Sequence, residues 1–238
     1  MLNCRDVDAV YKNQGFGETF VRESELGHIC VKPRCSRCHL HEELCICADI
    51  PNLETRTRLV LVMHAGEQSK PTNTGGLACL CLPNSEMRIR GQKGGPPLSY
   101  DGLLDDECES WLLHLSDQAM ELTPELALAT KKPVRLIVPD GTWSQASRTG
   151  SKMAKELPLL RSIKLRAVKP SIYRLRSEHH PDGMATFEAI AQVLGILEGE
   201  AVERKMMEIF RKMTDRVLWT RGRLPREEVY GGIPGRRS

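Results

Sequence analysis

Two short apolar runs, 111–115 and 134–138, constrain the architecture of this chain more than any other feature. Each is too short for an ordinary globular helix and too continuously apolar for a sheet with one wet face, so both read as strands buried on two sides. Between them, 118–128 carries apolar residues at roughly helical spacing. Strand, helix, strand is the pattern of an α/β fold with a mostly parallel sheet, flanking helices and a right-handed crossover. Further strands are expected over 58–63 and 87–90, with short ones over 162–165 and 172–175. Helices are expected over 73–82, 144–157, 184–197 and about 200–218, and an exposed loop over 91–97.

With 238 residues the chain can form one large domain with a small appended module. The expected division is a lead-in over 1–30, a cysteine module over 31–50, the main domain over 51–220 and a flexible basic tail over 221–238. No apolar run approaches the roughly eighteen residues a membrane span needs. The opening Met1-Leu2-Asn3-Cys4-Arg5-Asp6 lacks the basic-then-apolar pattern of a secretory signal, which points to the cytoplasm and to reduced thiols.

Nine cysteines then need an explanation. Cys35, Cys38, Cys45 and Cys47 fall within thirteen residues as a CxxC followed by a CxC. In a reducing compartment that density points to a metal, and thiolates select Zn2+. Four of them close a tetrahedral shell with no open position for water, which makes the site structural. His39 and His41 lie inside the loop and could replace a cysteine. Cys79 and Cys81 sit in an apolar helical segment and read as core, while Cys4, Cys30 and Cys108 show no pattern.

The net charge of +3 conceals a segregation: 94–130 holds no Lys or Arg, whereas 131–180 is strongly basic. Such a field suits a polyanion, and solvated helix faces would produce the same string. Asp140 follows the apolar run 134–138, and in open α/β sheets ligands bind beyond the carboxyl ends of strands. Gly141 permits a tight turn, Thr142 can cap the next helix, and Trp143 could stack on a base. An Asp before a Gly also makes a plain turn, and a Trp at a helix start also packs in a core.

Asp140-Gly141-Thr142-Trp143 resembles the signature of the DTW domain, and other pieces follow in that family's order. Cys35-Ser36-Arg37-Cys38 with Cys45-Ile46-Cys47 is similar to its cysteine motif. His64-Ala65-Gly66-Glu67 and Ser69-Lys70-Pro71-Thr72-Asn73-Thr74-Gly75 resemble its next block, and Thr186-Phe187-Glu188-Ala189 its late element. Ala65 stands where the family usually has Pro, and Ala185 where it usually has a small polar residue.

The resemblance implies a SPOUT-like knotted core that holds S-adenosylmethionine. It also implies transfer of the donor's 3-amino-3-carboxypropyl group to N3 of a tRNA uridine, with release of methylthioadenosine. Asp140 is the expected base for the N3 proton. His64, Ser69, Asn73, Thr74, Thr142, Trp143, Thr186 and Glu188 are expected to bind substrate or donor; read as residues alone, Asn73 and Thr74 can equally cap a helix and Glu188 can face solvent. His179 and His180 read as a surface turn. Two alternatives stay open at this stage: a non-catalytic RNA-binding adaptor, and an RNA methyltransferase using the same donor.

Overall fold

A computed structural model describes residues 33–70, 72–166, 171–175 and 184–234, all within one unit, Lys32–Ser238. The lead-in with Cys4 and Cys30, and the turn holding His179 and His180, lie outside the described residues.

The elements run β1 (Arg58–His64), α1 (Thr74–Cys81), β2 (Ser85–Arg90), β3 (Glu109–Leu113), β4 (Met120–Glu121), α2 (Pro124–Ala129), β5 (Val134–Asp140), α3 (Trp143–Glu156), β6 (Arg161–Lys164), α4 (Thr186–Glu198) and α5 (Glu200–Thr220). The strands form one sheet in the order β2-β1-β5-β3-β6-β4, and every pairing is parallel. The two apolar runs are therefore neighbours, as expected, with Trp111 opposite Leu136 and Leu112 opposite Ile137.

Side-chain alternation divides the interior in two. Leu59, Leu61 and Met63 of β1 with Leu136 and Val138 of β5 face the layer built from α1, α4 and α5. Val60, Val62, Leu112 and Ile137 face Met153 of α3 and Leu103 of the preceding loop. All of β5 is buried, Arg135 included, which explains why its sequence is apolar on both faces. Leu40, Leu44 and Ile46 of the cysteine segment join the first core. Residues 221–234 return to α5, where Leu224 and Val229 are buried and Tyr230 donates its backbone N–H to Asp215 at 3.1 Å.

The segment expected as one helix over 118–128 is different: a two-residue strand, β4, precedes a short helix that starts at Pro124 behind the cap Thr123. Proline at the first helical position and a Thr acceptor before it fix that start. The segment 171–175 is not a strand. Tyr173 instead donates its hydroxyl hydrogen bond to Thr72 O at 3.1 Å, and the backbone N–H of Ile172 donates to Glu188 at 2.8 Å.

Asn73, Thr123 and Thr142 each cap a helix with a side-chain oxygen. Ala185 before α4 has none, although Glu188 accepts its backbone N–H at 2.8 Å. Ala185→Ser supplies the missing acceptor and is expected to stabilise the protein by about 1 kcal/mol. Thermal denaturation should show a rise of about 2–4 °C; an unchanged or lower midpoint would mean that the buried position rejects the hydroxyl.

Candidate active site and cysteine cluster

β1 and β5 are adjacent, yet the chain leaves β1 toward β2 on one side and leaves β5 toward β6 on the other. That divergence is a topological switch point, where a crevice opens beyond the strand ends. β3 pairing stops at Ile137, so Val138, Pro139 and Asp140 run on beside β1 alone. Pro139, which lacks an N–H, is tolerated because it lies past that point.

Asp140 ends β5 on the face of α1 and α4 and is only 6% exposed. Its Oδ1 accepts a hydrogen bond from Thr186 Oγ1 at 2.6 Å, and Thr186 is the first residue of α4. The other carboxylate oxygen lies against Gly75 in the first turn of α1, where a Cβ would come within 2.8 Å of Oδ2 and 3.0 Å of Leu61. The carboxylate thus sits at two helix amino ends, which favour negative charge. This explains why two glycines interrupt an otherwise apolar helix: Gly75 makes room for Asp140, and Gly76 donates its backbone N–H to the cap Asn73 at 2.8 Å.

The remaining expected residues divide into groups. Thr74 is buried at the start of α1, and Asn73 beside it is fully engaged, donating to Glu67 O at 3.0 Å and to Met63 Sδ at 3.2 Å. Glu188 does not face solvent. Buried, it accepts from Ser171 Oγ at 2.6 Å and from the backbone N–H groups of Ile172 and Ala185, each at 2.8 Å, tying 171–173 to the start of α4. Ser69 is exposed on the turn after β1.

His64, Thr142 and Trp143 belong to the other face of the sheet rim. His64 accepts the N–H of Gly66 on Nδ1 at 3.1 Å, and burial, followed by the charge of Arg90, lowers its pKa. Thr142 caps α3 in a reciprocal box with Gln145, and Trp143 begins the helix 40% exposed. Gly141 bridges the two faces. A Cβ on it would meet Gln145 Oε1 at 2.9 Å and His64 Cβ at 3.3 Å.

Sequence reasoning missed Arg90, which ends β2 opposite His64 and donates to Gln145 O at 2.9 Å. A lone Arg in a short strand carried no signal by itself. The linear charge segregation also reads differently in three dimensions. Arg135 is buried and paired with Asp105 at 2.5 Å, and Arg161 pairs with Glu109 at 3.3 Å while stacking on Trp111. The acidic segment thereby neutralises part of the basic one. Arg148, Lys152 and Lys155 lie on α3, Lys152 3.8 Å from Glu156.

Cys35, Cys38, Cys45 and Cys47 bring their sulfurs within 4.8 Å of one another, and this group contains neither His39 nor His41. Cys35 and Cys47 are 3.5 Å apart, Cys38 and Cys45 3.8 Å. Tetrahedral thiolates at about 2.3 Å from one ion stand at such separations, so the donor set fits a four-coordinate metal. Backbone N–H groups, that of Cys38 foremost, lower the Cys35 thiol to about 6, whereas burial raises Cys38 and Cys47. Arg216 of α5 holds the loop, donating to Leu44 O at 3.0 Å and Cys45 O at 2.8 Å.

Residues 32–218 match the DTW domain. The chain belongs to the DTW-domain family. It is 28% identical over 177 residues to tRNA-uridine aminocarboxypropyltransferase 2 of Macaca fascicularis, covering 70% of this chain and 57% of that protein. It is 26% identical over 210 residues to tRNA-uridine aminocarboxypropyltransferase A of Arabidopsis thaliana, covering 75% and 78% respectively. The chain thus spans little more than half the length of the Macaca relative. A solved structure, the SAM-dependent rRNA:acp-transferase Tsr3 from Vulcanisaeta distributa, matches with a TM-score of 0.42 and 16% identity over 74% of this chain and 85% of that one. No helix among the described residues is long and apolar enough to cross a membrane.

Gly75→Ala forces a methyl group into the Asp140 carboxylate and is expected to displace it from Thr186. A crystal structure of the variant should show the Thr186–Asp140 hydrogen bond broken while α1 persists; an intact bond would show that α1 shifts to accommodate the methyl. Cys38→Ser is expected to abolish tight metal retention, read as loss of about one equivalent of zinc by mass spectrometry of the native protein, and to lower the melting temperature.

Proposed function

We propose that this DTW-domain protein transfers the 3-amino-3-carboxypropyl group of S-adenosylmethionine to N3 of a uridine in tRNA. The observation that carries this reading is the Asp140 carboxylate, fixed by Thr186 and Gly75 at the β1/β5 switch point of a chain in the DTW family. The curated relatives named as tRNA-uridine aminocarboxypropyltransferases support the substrate. The SPOUT-like knotted arrangement implied by the resemblance belongs to the same reading, as does a reducing cytoplasmic setting for the thiols.

The sulfonium of the donor activates three carbons, so the product is selected by which one lies in line with the nucleophile. N3 of the uridine attacks the methylene of the methionine arm, the carbon–sulfur bond breaks, and its electron pair stays on sulfur in methylthioadenosine. Asp140 takes the proton that N3 gives up. Thr186 donates to one carboxylate oxygen and Gly75 leaves room for the other at the start of α1, which together hold the carboxylate at the edge of the crevice. His64 and Asn73 shape the rim, and Trp143, exposed at the head of α3, offers a stacking face for an unpaired base. Arg148, Lys152 and Lys155 on the same helix give the strand's phosphates a cationic path. Zn2+ in the four-cysteine site is structural, holding the loop against α5.

The test is mass spectrometry of nucleosides from unmodified tRNA incubated with purified protein and S-adenosylmethionine. A uridine heavier by one aminocarboxypropyl group is expected, with Asp140→Asn reducing its rate by at least about 100-fold. A methylated nucleoside would replace this reading with methyl transfer. Tight tRNA binding without any modified uridine would replace it with an adaptor.

A further inference from the structure

The rim of the second sheet face carries a cluster around Arg90, a residue with no part in the proposed transfer chemistry. His64 and Arg90 are register partners in parallel strands, so both side chains leave the sheet on the α3 side, opposite the face of Asp140. Arg90 Nη2 is tethered to Gln145 O at 2.9 Å, while its Nε is buried without a hydrogen-bond partner. Arg148 follows Gln145 by three residues, on the same helix face, and its Nε donates to Ser144 O at 3.1 Å. The charge of Arg148 is felt at both Arg90 and His64, although burial is the larger cause of the lowered pKa at each.

Among the described residues neither Arg90 nor Arg148 has a carboxylate within 4.0 Å, and Lys70 nearby is committed to Glu67 at 2.6 Å. Other strand arginines are treated differently. Arg88, two residues before Arg90 and on the same face, pairs with Glu86 at 2.6 Å and donates to the carbonyls of Ser99 and Asp101. Arg135 has Asp105, and Arg161 has Glu109. Two guanidinium groups tied to the neighbouring carbonyls of Gln145 and Ser144 in the first turn of a fourteen-residue helix, one with a buried N–H unsatisfied, form an arrangement that an anion would complete.

We infer that Arg90 and Arg148, with His64 beside them, form an oxyanion site on the α3 side of the rim. Its occupant is either a phosphodiester of the RNA strand or the carboxylate of the donor. The natural ligand rests on the transferase reading; the anion site itself does not. Trp143 lies at the head of the same helix, so a phosphate at Arg90 and Arg148 would set the strand's register relative to a stacked base.

The experiment has two parts. Inorganic phosphate is titrated into the parent protein and into Arg148→Gln while the arginine Nε–H resonances are followed by NMR. A saturable shift at Arg90, weakened at least about fivefold in Arg148→Gln, is expected; a linear shift, or one equal in both proteins, overturns the site. Arg148 is exposed, so this variant should keep the parent fold, which its NMR spectrum checks directly. Affinities for tRNA and for S-adenosylmethionine are then measured for the parent, Arg148→Gln and Arg90→Lys. A salt dependence of tRNA binding that falls by about one ion per arginine removed assigns the phosphodiester. Donor affinity reduced about tenfold with the salt slope unchanged assigns the carboxylate, and no change in either overturns the proposal. Should the parent bind neither tRNA nor donor, the transferase reading fails while the phosphate titration still decides the site.

Discussion

The hydrogen bond from Thr186 to Asp140 joins three elements that are far apart in sequence: the end of the central strand β5, the start of α4, and, through Gly75, the start of α1. A buried carboxylate is costly unless its charge is stabilised, and here the Thr186 hydroxyl does so by a hydrogen bond and the amino ends of two helices by their dipoles. The strand must therefore end where these helices begin, and the helices must begin where the strand ends. The crevice between β1 and β5 follows from this mutual fixing together with the opposite directions in which the chain leaves the two strands.

A second layer of positioning lies behind it. Glu188 joins the first turn of α4 to 171–173, Tyr173 reaches Thr72 just before α1, and Tyr173 also stacks on Phe210 of α5 with ring centroids 5.8 Å apart. The capping of α4, the entry to α1 and the long C-terminal helix are thus linked through one short segment without regular structure. Asn73 performs the corresponding task on the β1 side, joining the α1 cap to the turn at Glu67.

Much of this was legible in the sequence, and the reasons for what was not are specific. β5 announced itself because both of its faces are buried, and α3 was expected over 144–157 with Thr142 as its cap, whose reciprocal bond with Gln145 only the structure reveals. The stretch 118–128 misled because apolar spacing ignores proline: Pro124 resets the helix start, and the residues before it pair with β6 instead. Residues 172–175 look like a strand because Ile172, Tyr173 and Leu175 are apolar, but Tyr173 and Leu175 are buried by packing on helices rather than by pairing. Glu188 was expected to bind substrate or donor, with solvent exposure as the alternative, since nothing local reveals that Ser171 and Ile172 fold over it. Arg90 was invisible for the complementary reason. Its meaning depends on which residues its neighbours leave unpaired, and that is a property of the register between β1 and β2.

The contact of Arg216 with the carbonyls of Leu44 and Cys45 has a consequence for how the chain is made. The cysteine loop leaves the ribosome well before α5, since Arg216 follows Cys45 by 171 positions. Until then the loop has its own thiols but no cation against its carbonyls and no wall for Leu44 and Ile46. A metal bound before then would thus act as a placeholder, keeping the loop closed on itself while the sheet assembles and until α5 arrives to complete its surroundings.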